Sequence, residues 1–106
     1  MEQLNKVELR GIVGNARVQD IGNSQMIRFS VATDHFFKDK NGGVVAETTW
    51  HQVVAFKNDS MPDLSAIVRG TGVEVVGRLR NNRFTDSNGN ERTVTEILAS
   101  SISIVR

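Results

Sequence analysis

No cysteine occurs anywhere in the 106 residues, which excludes disulfides, thiolate zinc sites and cysteine nucleophiles and fits an intracellular setting. An excess of one charge is also lacking. Thirteen Lys and Arg stand against 12 Asp and Glu, so a surface that attracts a polyanion has to be local. No apolar run reaches membrane-spanning length, and Met1–Asn5 lacks the hydrophobic stretch of a secretion signal. The expected location is the cytoplasm, with no membrane partner. His35 and His51 are the only histidines and have no metal-ligand spacing, no loop has phosphate- or dinucleotide-binding glycines, and the carboxylates are scattered. No catalytic site, metal or cofactor is therefore expected, and the chain does not read as an enzyme.

What is present suits one ordinary folded domain spanning residues 1–106. Apolar residues make up 39% and charged residues 24%, and the length holds one hydrophobic core but not two. No repeat or low-complexity segment interrupts it.

Alternation organises most of the chain. From Lys6 to Gly14, Val7 and Leu9 alternate with Glu8 and Arg10, and Gly11 and Gly14 suit a sharp bend. From Met26 to Thr33, Ile27, Phe29 and Val31 share one face, which assigns Phe29 to the core. A long polar hairpin follows, with an Asn41-Gly42 step that favours a tight turn. Thr48–Phe56 is rich in β-branched and aromatic residues, as a third strand should be. Ser60 then resembles an N-cap, Pro62 suits a first helical turn, and Leu64, Ile67 and Val68 fall at helical spacing before Gly70. A fourth strand is expected over Gly72–Arg80 and a fifth from about Arg92 to Val105, joined through Asp86-Ser87-Asn88-Gly89-Asn90. Five strands with one short helix between the third and fourth is the element order of the all-β OB-fold, a partly open five-stranded Greek-key barrel.

Six aromatics carry the functional reading. A groove that holds single strands without reading sequence needs π-faces for bases and cations for phosphates. Phe36 and Phe37 sit beside Lys38 and Lys40 in the polar hairpin, where adjacent residues diverge and one of the two is expected outside. Trp50 and Phe56 share a side of strand three with Gln52 and Val54. Their side is the more apolar, so pattern alone favours burial. Phe84 lies near a hairpin tip among Arg78, Arg80 and Arg83, the strongest binding signal in the chain, although a solvated charged hairpin has the same composition.

The run Asn5-Lys6-Val7-Glu8-Leu9-Arg10-Gly11-Ile12-Val13-Gly14 resembles the opening of bacterial single-stranded DNA-binding proteins. So, in the same order, do Phe29-Ser30-Val31-Ala32-Thr33, Thr49-Trp50-His51-Gln52-Val53-Val54-Ala55-Phe56, Val75-Val76-Gly77-Arg78-Leu79-Arg80, Asp86-Ser87-Asn88-Gly89 and Thr95-Glu96-Ile97. The resemblance implies nonspecific binding of single-stranded DNA during replication, recombination and repair, at the nucleoid of a bacterial cytoplasm. It implies stacking on Phe37, Trp50, Phe56 and Phe84, which reverses the pattern-based burial of strand three, and it turns Val53 and Ala55 inward. It further implies a homotetramer with His51 near a subunit interface. Lys38, Lys40, Arg78, Arg80 and Arg83 are then the expected phosphate contacts.

Three departures qualify this picture. Phe37 and Phe84 stand where tryptophan is usual, with less stacking area. Gln52 stands where arginine is common. Typical members also carry a tail with an acidic tip that recruits other proteins, whereas this chain stops at Arg106, so recruitment through such a tail is not expected. A trimmed core and a short form for a mobile element or a particular host process both fit. Two other readings remain open on sequence: a dimeric primosomal replication-restart protein, and an OB module that binds protein through exposed arginines with Trp50 and Phe56 buried.

Overall fold

The computed structural model describes residues 1–105. Five strands, β1 (Val7–Ile21), β2 (Ser24–Lys38), β3 (Val44–Phe56), β4 (Gly72–Thr85) and β5 (Glu91–Val105), form a closed barrel in the order β1-β2-β3-β5-β4. All neighbours are antiparallel except β3 and β5, which run parallel over only three pairs, Val53 with Ile97 through Ala55 with Ala99. The expected Greek-key barrel is therefore present, and it is closed. No helix among the described residues is long and apolar enough to cross a membrane.

Every strand but the last runs beyond its sequence-based limits, for identifiable reasons. β1 continues past Gly14 because a bulge between Val13 and Ala16 shifts its register against β2. One extra residue inverts which parity faces the core. Val13 points in before the bulge, whereas Ala16 and Val18 pair with inward Phe29 and Ile27 after it. The apolar pattern therefore breaks at residues 14–15, where the strand does not. β2 and β3 extend as an exposed ribbon to the turn at 39–43, and β4 and β5 do the same to the turn at 86–90.

Between β3 and β4 the expected helix is only a 3₁₀ turn, Leu64–Ala66. Asp63 caps it, its Oδ1 accepting the Ser65 N–H at 3.0 Å. Ser60 does not cap a helix. Its N–H goes to Asn58 Oδ1 and its carbonyl accepts the Ile102 N–H, while Lys57 Nζ donates to the Met61 and Pro62 carbonyls. Leu64 and Ile67 are buried as expected, because a spacing of three satisfies a 3₁₀ turn as well as an α-helix. Val68, one residue further, is left exposed. Met61, Leu64 and Ile67 thus close one end of a barrel filled by Val13, Ile27, Phe29, Val31, Val53, Val73, Val75, Ile97 and Ile102.

Candidate nucleic-acid interface

Trp50 settles which side of β3 faces out. Val53 and Ala55 are fully buried while Trp50 is 56% exposed, with Gln52 and Phe56 on its face. Trp50 pairs with Ala32, and its ring leans across β2 onto β1. A Cβ at Gly14 would come within 2.5 Å of Trp50 Cζ3. Only glycine lets the indole lie this close to the strand, and the residue stays more than half exposed. Gly14, Asn15, Ser30, Trp50, Gln52 and Arg69 line a cleft of about 310 Å³ there. Ser30 Oγ accepts the Asn15 N–H at 3.0 Å, which satisfies a backbone donor that the bulge frees from the ladder.

Val54 belongs to the outer face by parity, yet it is buried. It lies directly beside Arg28 of β2 and next to Leu98 of β5. Arg28 reaches across β3, where Nη1 donates to Glu96 Oε2 at 3.3 Å. From the other side, Arg80 Nε donates to Glu96 Oε1 at 3.0 Å. Glu96 is only 3% exposed, so each carboxylate oxygen has one guanidinium partner, as burial of a charge requires. Arg28, Glu96 and Arg80 thereby tie β2, β5 and β4 together across the outer face. Sequence reading named Arg80 only as a phosphate contact and missed Arg28 and the role of Glu96, since three residues far apart in sequence carry no periodic signal.

The two long ribbons each present two faces. Register in β4–β5 places Arg78, Arg80 and Phe84 on the side of Glu96, with Arg92 directly opposite Phe84. Arg83 falls on the other side, with Glu91 at 3.9 Å. In β2–β3 the register has no shift from Met26 to Lys38, so Phe36 and Lys38 share the Trp50 side. Phe37 does not. It stands on the opposite side with His35, their rings stacked at 6.2 Å, and with His51, whose Nε2 lies 2.8 Å from Thr33 Oγ1. Phe36 is 64% exposed, Phe37 43%. The residues carried over from the resemblance are therefore split: Trp50, Phe56, Phe84, Lys38, Arg78 and Arg80 face one way, Phe37 and Arg83 the other, and Lys40 sits in the turn. Alternation along β2, continued from inward Ile27, Phe29 and Val31, would have found Phe36.

The hairpin tip next to Phe84 is held by Asp86. One carboxylate oxygen accepts the Asn88 and Asn90 N–H groups at 2.9 and 3.0 Å, and the other accepts Arg92 Nε at 2.9 Å. These bonds, led by Arg92, hold the Asp86 carboxyl below its ordinary value of 3.8. A depressed folded-state value means that its contribution is complete above the unfolded value and is lost as pH falls through the folded one. The tip is expected to loosen below pH about 4. An NMR titration following the Asp86 carboxyl and the Asn88 and Asn90 amides should show them change together, at a midpoint below that of an unstructured aspartate.

Comparison with known proteins agrees with the fold. Residues 4–105 match the model of the single-strand binding protein family. The chain belongs to that family. Single-stranded DNA-binding protein 1 of Xylella fastidiosa is 35% identical over 99% of this chain and 79% of its own length. The mitochondrial single-stranded DNA-binding protein of Drosophila melanogaster is 31% identical over 97% of this chain and 72% of its own. Among solved structures, the Plasmodium falciparum SSB complex with ssDNA superposes with a TM-score of 0.79 at 25% identity, covering 100% of this chain and 98% of that one. The outer face of this chain's barrel carries the arginine–glutamate–arginine brace and the Gly14–Trp50 contact.

Proposed function

We propose that this chain binds single-stranded DNA without reading its sequence, and that it serves replication, recombination and repair by covering exposed strands. The observation that carries the proposal is Trp50, held against Gly14 and 56% exposed in a cleft flanked by Gln52 and Arg69. Phe56 and Phe84 extend the row of stacking surfaces. Arg78, Arg80 and Lys38 stand on the same side to follow phosphates. At about 1 to 3 kcal/mol per stacked base, three or four platforms outweigh what a formal charge of +1 supplies. The chain acts as one binding module, by contact and not by catalysis, in the cytoplasm of a bacterium.

Titrating the fluorescence of Trp50 with oligo-dT at low and high salt tests this directly. Strong quenching that partly survives salt supports stacking, with a modest log–log salt slope of roughly −0.7 per phosphate neutralised. Absence of quenching favours a protein-binding module instead. The two faces of the β2–β3 ribbon give a sharper expectation. Phe36→Ala should weaken binding several-fold, as loss of about 1 kcal/mol of stacking does, and Phe37→Ala should weaken it less. The same titration measures both.

Homotetramer formation is part of the proposal, with Phe37, Val45 and His51 on the face turned away from Trp50 and available to a subunit contact. Analytical ultracentrifugation of the wild type tests it, since a dimer would favour the replication-restart reading.

A further inference from the structure

We propose that Arg28, braced by Glu96, and Arg17 directly opposite it on β1 form a phosphodiester-binding site that carries a bound strand off the Trp50 cleft and across β1 and β2. The inference rests on the single-strand binding reading above. Its first support is a charge conflict. Arg17 and Arg28 are cross-strand partners, and like charges placed directly opposite each other destabilise a strand pair. The ion-pair partner of Arg28 is Glu96, which already divides its two oxygens between Arg28 and Arg80. Arg17 makes no ion pair among the described residues. Arg17 thus faces Arg28 with no carboxylate paired to it, a local positive charge that a phosphate between the two would neutralise.

The second support is access. Arg28 uses only Nη1 on Glu96, so most of its fork of donors is unengaged, and its side chain is 53% exposed. With Asn15, Ser30 and Gln52 it lines a cleft of about 140 Å³. Asn15, Ser30 and Gln52 also line the Trp50 cleft, so the two are continuous. A base on Trp50 therefore has a neighbouring phosphate within reach of Arg28. The guanidinium also stands beside Gln52, which is uncharged, and so restores a cation to this part of the face. Buried Glu96 positions that guanidinium, whose planar fork suits a phosphate better than a mobile ammonium does.

Arg28→Met tests the site because it keeps an unbranched stem over Val54 while removing the charge. Arg17→Ala, at an exposed position, tests it independently of that packing. Oligo-dT affinity is read by Trp50 quenching between roughly 50 and 200 mM salt. Each variant should reduce the magnitude of the log–log salt slope by about 0.7, and Arg28→Met should bind about tenfold more weakly at low salt. Quenching at saturation should be unchanged, because Trp50 still stacks. The free Arg17→Ala protein should melt no lower than the wild type. Wild-type slopes in both variants would overturn the proposal and leave Arg28 as a brace alone. If the wild type itself shows no quenching, the single-strand binding reading fails instead. Should Arg28→Met not fold, the Arg17→Ala slope decides.

Discussion

Replacing Trp50 by alanine is expected to weaken oligo-dT binding by a factor between about 5 and 150, corresponding to about 1 to 3 kcal/mol, while the barrel stays folded. Trp50 is the lone tryptophan, so the measurement needs the anisotropy of a labelled oligonucleotide rather than intrinsic fluorescence. The fold should tolerate the change because the ring lies outside the core, resting on Gly14 rather than among Val53, Ala55 and their neighbours. Trp50→Phe should recover part of the loss, since a smaller ring still offers a π-face. A loss confined to low salt would mean that Trp50 positions cations instead of stacking. Equal affinity for wild type and Trp50→Ala would remove the stacking model altogether.

Gly77→Ala should produce the opposite signature, a large loss of stability with no direct contact to the ligand. Gly77 sits at the β4 register shift, where a Cβ would collide with the Leu98 carbonyl oxygen and come within 2.9 Å of Ala99 Cα. Both obstacles are backbone, so no side-chain rotation relieves them. Overpacking of this kind costs about 2 to 3 kcal/mol. For a domain near 100 residues each kcal/mol lowers Tm by about 4 to 8 °C, so differential scanning calorimetry should find a drop on the order of 10 to 20 °C. An unchanged melting temperature would show that the two strands can separate at this point without penalty.

Much of this arrangement is legible in the residues. Ile27, Phe29 and Val31 announce the inner face of β2, Val73 and Val75 that of β4, and the Asn41-Gly42 and Asn88-Gly89 steps announce the two long hairpins. What stays hidden has physical causes. Residues 14–15 form a bulge that inverts parity, which hides the outer half of β1 from any fixed-period reading. The spacing of Leu64 and Ile67 does not distinguish a 3₁₀ turn from a helix, and the ties of Ser60 to Asn58 and Ile102 come from tertiary structure.

The candidate site was legible only in part. Strand alternation alone leaves the two sides of β3 equivalent. Its more apolar side proved to be the outer one, because Val54 is covered there by Arg28 and Trp50 is seated on Gly14. The family resemblance corrected that side, and it also brought Phe37 and Arg83, which register places on the far faces of their ribbons.

The seam between β3 and β5 has a consequence for the order of events during synthesis. β5 pairs with β4 along its whole length and with β3 over three residues, and of the five strands it is the last to leave the ribosome. Until Ile97–Ala99 emerge, β3 and β4 have open edges, and Arg28 and Arg80 have no carboxylate between them. The nascent chain therefore holds its stacking aromatics on an unfinished sheet, exposed to strand pairing with other chains. Barrel closure and assembly of the arginine brace are completed together, by the same few residues, so competence to bind should arrive abruptly with the final strand and not accumulate along the chain.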